Sequence, residues 1–153
     1  MTGPVLRIGE PAADFSLVST SGNMVLLSSL KGKVVVLAFW ASWCGPSTKA
    51  IGDLAGAYRQ IAAKGAAVIA VASDRDPKAV ISYAKSKKLP FPVLLDSTCS
   101  VAATRGVTQL PAIFVIDKTG RVRFRNEEFP GLAATLRQIK AAGGPTSAAG
   151  ANR

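Results

Sequence analysis

The run VVVLAFW, Val34 to Trp40, is apolar throughout and rich in β-branched side chains, with nothing to offer water on either side. A strand with one solvated face alternates apolar and polar residues, so an uninterrupted run of this kind reads as a central strand covered on both faces. The chain must therefore supply packing elements for two sides of one sheet. From Ser47 to about Lys64 the apolar positions Ile51, Leu54, Tyr58 and Ile61 recur at spacings of three and four, an amphipathic helix ended by Gly65. AAVIAVA, Ala66 to Ala72, is a second buried strand, and a strand, helix and strand joined by a crossover of this length pair in parallel.

The flanking sequence completes an α/β pattern. DFSLVSTSGNMVLL reads as a β-hairpin with Ser21-Gly22-Asn23 as its turn, and SSLKGK connects it to the central strand. Asp76-Pro77 opens a helix that runs to about Lys88, with proline at a first-turn position. FPVLLD is a short strand, STCSVAATRG a turn of helix ended by Gly106, and AIFVID with RVRFR an antiparallel hairpin closed by KTG. In RVRFR, alternation puts Arg121, Arg123 and Arg125 on a solvated face and Val122 and Phe124 on a core face. A last helix spans about Leu132 to Ala142. The expectation is one domain over residues 1–142, with the small-residue segment 143–153 as a disordered tail.

Composition narrows the chemistry. The chain has 153 residues, 48 % of them hydrophobic, enough for a real core, and no apolar run approaches the roughly 18 residues that would span a bilayer. Met1 to Pro11 has neither the basic start nor the apolar stretch of a secretory signal, although an exported chain trimmed of its leader would read the same. The net charge of +10 favours an acidic protein or an anionic membrane surface as partner. Nucleic acid is not expected, because the basic residues are not interleaved with aromatic side chains. There is no histidine and there are two cysteines, Cys44 and Cys99, which excludes Cys/His zinc sites and Cys-His nucleophile pairs. With no Walker-type loop and no dinucleotide fingerprint, no cofactor and no metal are expected.

LKGKVVVLAFWASWCGP, then LLD at Leu94 to Asp96, GVTQLP at Gly106 to Pro111 and IFVIDKTG resemble the thioredoxin-like redoxins. The similarity is nearest the bacterial thiol-disulfide oxidoreductase and thiol-specific antioxidant branch, and runs in order from about Pro11 to Leu136. It implies a thioredoxin fold: a central mixed β-sheet flanked by helices on both faces, with an N-terminal β-hairpin extension. It also implies that Pro111 is a cis proline beside Cys44, and that Leu110 offers its backbone to a bound peptide. A proline opening an apolar strand is otherwise simply a first-residue proline. Trp43, Gly45 and Pro46 would complete the substrate groove, and Trp40 would be a packed aromatic with its indole nitrogen toward Asp96. The resemblance favours an extracytoplasmic location if a leader was removed, and a cytoplasmic one otherwise.

Cys44 stands at a strand-to-helix junction, where unpaired N–H groups and the positive end of the helix dipole stabilise a thiolate over a thiol. The Ser47 hydroxyl is placed to add a hydrogen bond to the sulfur. In a dithiol enzyme a second thiol resolves the mixed disulfide. Ser47 cannot, since oxygen forms no S–S bond and an alcohol is a far weaker nucleophile without a base. Ala38 stands where thioredoxins carry a buried acid, Ala50 where extracytoplasmic relatives carry a glutamate, and Gly52 where a helix proline is frequent. Ala41 stands where peroxiredoxins carry threonine or serine. Cys99 is either the resolving thiol or a small buried cysteine. The expectation is an oxidoreductase or antioxidant protein in which Cys44 attacks a protein or small-molecule disulfide, or a peroxide. An external thiol reductant, or Cys99, completes the cycle. Two alternatives stand beside it: a peptide-binding or chaperone-like module that has lost catalysis, and a dithiol enzyme in which Ser47 replaces a cysteine as a trap.

Overall fold

The computed structural model describes residues 4–143. In chain order the elements are β1 (Ser16–Val18), β2 (Met24–Leu26), a 3-10 turn (Leu27–Leu30), β3 (Val35–Trp40), α1 (Gly45–Ala63), β4 (Ala67–Ala72), α2 (Pro77–Ser86), β5 (Val93–Leu95), α3 (Ser100–Thr104), β6 (Ala112–Ile116), β7 (Val122–Asn126) and α4 (Leu132–Gly143). β1 and β2 form the N-terminal antiparallel hairpin, and the other strands make one mixed sheet in the order β5-β4-β3-β6-β7. β3 pairs in parallel with β4 and antiparallel with β6, so the uninterrupted apolar run is the middle strand.

Every residue of β3 is buried. Val36, Ala38 and Trp40 face one core with Ile51, Leu54 and Ile61 of α1, Val80 of α2 and Ile139 of α4. Val35, Leu37 and Phe39 face the second core, closed by Phe15, Leu27 and Ala102, which come from the hairpin region and α3. The three longer helices thus cover one face, and the hairpin and short α3 cover the other. Each fully buried Leu, Ile or Phe contributes on the order of 1.5–3 kcal/mol, and Leu37, Phe39, Leu54 and Ile61 are all at 0 % exposure.

The N-terminal segment also shields both sheet edges. Ser19 bridges to Leu94 on β5, and Pro11 bridges to Arg121 at the β7 edge. Each bridge takes up the edge's backbone groups at that point, which leaves less of the edge open to another chain.

β7 departs from strict alternation. Ile116 pairs with Val122 but Val115 pairs with Phe124, so Arg123 is an extra residue in a register shift. Val122 therefore enters the core with Phe114 and Ile116, while Phe124 packs against the opposite one. The arginines separate accordingly. Arg121 donates to the Gly9 carbonyl at 3.0 Å, Arg123 lies 3.7 Å from Asp117, and Arg125 lies over the Phe114 ring and pairs with Glu127 at 2.9 Å. The last helix ends at Gly143; the rest of the expected tail, 144–153, lies outside the described residues.

Candidate active site at the β3–α1 junction

β3 delivers Cys44 to the end of the sheet and α1 begins on the next residue, with Cys44 as its N-cap. The first intrahelical bond runs from the Thr48 N–H to the Cys44 carbonyl at 3.0 Å. Pro46 has no N–H to leave unpaired, and the N–H groups of Gly45 and Ser47 make no hydrogen bond among the described residues. The cysteine side chain thus stands where a capping oxygen normally accepts, beside two free donors and the positive end of a nineteen-residue helix. Cys44 is half-buried, and its thiol lies 3.8 Å from the Leu110 carbonyl.

The Leu110–Pro111 peptide bond is cis. These two residues line a cavity of about 340 Å³ with Pro46, Ala50 and Phe129, rimmed by the carboxylates of Asp53, Glu127 and Glu128. Trp43 is 73 % exposed. It lines a second cavity, of about 420 Å³, with Ser73, Asp74, Arg75, Asp76 and Cys99. Cys99 is the N-cap of α3 in a left-handed conformation, φ 62°, and both cysteines are free. The fold therefore gathers Cys44, Pro46, Leu110 and Pro111 on one side, and Trp43 with Cys99 on the other. Gly45 is exposed at the start of α1, with open space where a side chain would be.

Two contacts expected from the sequence are not made. Ser47 is at 0 % exposure, and its hydroxyl has no hydrogen-bond partner among the described residues, the Cys44 sulfur included. The cause is helix phase: Ser47 lies on the same stripe as Ala50, Ile51 and Leu54, which turns toward the core. Nor does the Trp40 indole nitrogen reach Asp96; it too is unpartnered. Asp96 instead accepts from the Ser73 hydroxyl at 2.9 Å and from the N–H groups of Val101 and Ala102 at 3.1 and 3.0 Å, fixing the start of α3. The Trp40 ring packs on Tyr83, with centroids 5.4 Å apart.

A model of the AhpC/TSA family matches residues 8–125, a span that takes in Trp43, Cys44, Ser47, Cys99, Leu110 and Pro111. The chain belongs to the AhpC/TSA family. Among relatives in the family's sequence range, the thiol-disulfide oxidoreductase ResA of Bacillus cereus is 36% identical over 117 residues, covering 76% of this chain and 68% of that protein. ResA of Bacillus subtilis is 37% identical over 114 residues, 74% of this chain and 64% of that one. Among solved structures, a thiol:disulfide interchange protein of the thioredoxin family from Chlorobium tepidum superposes with a TM-score of 0.72 at 30% identity, covering 86% of this chain and 94% of that one. The thioredoxin domain of a thiol-disulfide oxidoreductase from Bacteroides vulgatus gives 0.77 at 24% identity, over 87% and 97%, a likeness of fold.

One residue that orders this AhpC/TSA site was missed in the sequence. Asp74, 3 % exposed, accepts from the Ser42 N–H at 2.9 Å and the Ser42 hydroxyl at 2.6 Å, and from the Asp76 N–H at 2.9 Å. It ties the loop that carries Trp43 and Cys44 to the loop after β4. Its signal was the SDRDP run directly after a buried strand, where an aspartate has backbone donors to satisfy.

Proposed function

We propose that this chain is a thiol-disulfide oxidoreductase that works through one cysteine, Cys44. The observation that carries the reading is the placing of that sulfur: at the N-cap of α1, beside two free N–H groups and 3.8 Å from the carbonyl of the cis Leu110–Pro111 peptide, with a serine at the position where a dithiol enzyme keeps its second sulfur. The Cys44 thiolate attacks one sulfur of a substrate disulfide, the new S–S bond forms as the old one breaks, and the other sulfur leaves as a thiolate. An external thiol then attacks the substrate sulfur of this mixed disulfide, so Cys44 leaves as thiolate and the substrate carries away a new disulfide. Electrons balance without a second cysteine in the chain.

Leu110, Pro111 and Pro46 provide the groove in which the substrate segment lies, and exposed Trp43 flanks the sulfur. A disulfide rather than a peroxide is the substrate, because Ala41 is buried and offers no hydroxyl three residues before Cys44. The exposure of Trp43 also favours one second reading, a peptide-binding module without turnover.

Glutathione-dependent turnover of hydroxyethyl disulfide separates these. Turnover is expected to persist in Cys99→Ser and vanish in Cys44→Ser. Its loss in Cys99→Ser would make Cys99 the resolving thiol. An inert native chain whose peptide binding survives Cys44→Ala would replace the oxidoreductase with the binding module.

A further inference from the structure

At the opposite end of the sheet from Cys44, a cavity of about 390 Å³ opens between the start of β3, the end of α1, the β6–β7 turn and α4. α1 carries nineteen residues from Cys44 to this end, roughly 28 Å at 1.5 Å per residue, so the two sites are separate. The floor of the cavity is apolar, from Val34, Leu136 and Ile139, and four cations line it: Lys64, Lys118, Arg137 and Lys140. None of the four makes an ion pair or side-chain hydrogen bond among the described residues, so each keeps its charge free for a ligand. Among the described residues, no acidic side chain lines the cavity.

We propose that this cavity binds an anionic amphiphile, its charged head among the four cations and an alkyl segment along Val34, Leu136 and Ile139. Four like charges drawn around one opening repel one another, and a negative head group relieves that repulsion. A small inorganic anion would leave the floor wetted, and a neutral apolar ligand would leave the cations unpaired. The combined chemistry therefore selects a molecule with both parts. The volume is that of an ordinary small-molecule site.

The test follows backbone amides of the full-length chain by NMR while dihexanoyl phosphatidylglycerol is added below its micelle concentration. Saturable shifts are expected at Gly65, Ile139 and Gly143 with no response at Cys44, and binding roughly tenfold weaker in Lys64→Gln/Lys140→Gln. The double variant Lys78→Gln/Lys85→Gln, which removes the same charge from α2, is expected to bind like the native chain. Phosphatidylglycerol vesicles then distinguish the source. Co-sedimentation that weakens in the cavity variant supports a bilayer lipid, and monomer binding without co-sedimentation supports a free amphiphile. The proposal is overturned if dihexanoyl phosphatidylcholine binds as well, if glycerol phosphate alone reproduces the shifts, if the α2 variant loses as much affinity, or if nothing binds.

Discussion

Ser47 shows how far a motif determines a role. From the sequence it is the residue that closes the motif begun by Cys44, and a bond to the sulfur is the natural expectation. In the fold its hydroxyl is buried without a partner, a condition that costs about 1–3 kcal/mol. Ser47→Ala is therefore expected to raise stability by about 1 kcal/mol in urea unfolding while leaving the alkylation rate of Cys44 unchanged. A slower Cys44 in that variant would mean that the hydroxyl does serve the sulfur. Asp74 is the converse case, unremarkable in sequence and central in structure. Its carboxylate holds the Ser42 N–H and hydroxyl, so Asp74→Ala is expected to cost about 2–4 kcal/mol and to increase hydrogen exchange in the Ser42–Cys44 loop. Unchanged stability and exchange would show that the loop is held by other contacts.

The elements were legible wherever their periodicity was strong. β3, α1 and β4 follow from burial on two faces and from a clear apolar stripe, and all three form within a residue or two of the expected bounds. β7 was legible as a strand but not in its facing, because one extra residue in a ladder reverses every later side chain and leaves no mark in composition. The turn before β7 carries a pH prediction. Burial alone would raise the Asp117 carboxyl, but hydrogen bonds from the Thr119 hydroxyl, the Arg121 N–H and the Thr119 N–H, with the nearby Arg123 charge, hold it below the ordinary carboxylate range. A carboxyl depressed by folding stabilises fully above its unfolded value of ~3.9, and that contribution is lost as the pH falls through the folded value. Stability is therefore expected to fall as the pH drops below about 4, and less steeply in Asp117→Asn. Equal slopes in the two proteins would assign acid sensitivity to other carboxylates, such as Asp14, which hydrogen bonds from Ser28 and Phe15 likewise hold low against its burial.

At the scale of the whole molecule, one long buried strand sets the architecture and its two ends set the chemistry. The end toward α1 carries Cys44 and the cis Leu110–Pro111 bond, and the end toward the β6–β7 turn carries the cationic cavity. The first was legible because its residues fall in a recognisable motif. The second was not, because Lys64, Lys118, Arg137 and Lys140 are scattered in sequence and only the fold collects them. The relation of Cys99 to Cys44 was likewise beyond the sequence, since it depends on how the β5–α3 loop meets the β3–α1 loop. The most direct test of single-cysteine chemistry is intact-mass analysis, with peptide mapping, of the fully reduced chain mixed with one equivalent of 5,5′-dithiobis(2-nitrobenzoate). The account predicts a single thionitrobenzoate adduct on Cys44 that persists until an external thiol is added. A spontaneous loss of that adduct with formation of a Cys44–Cys99 disulfide, or equal labelling of both cysteines, would contradict it.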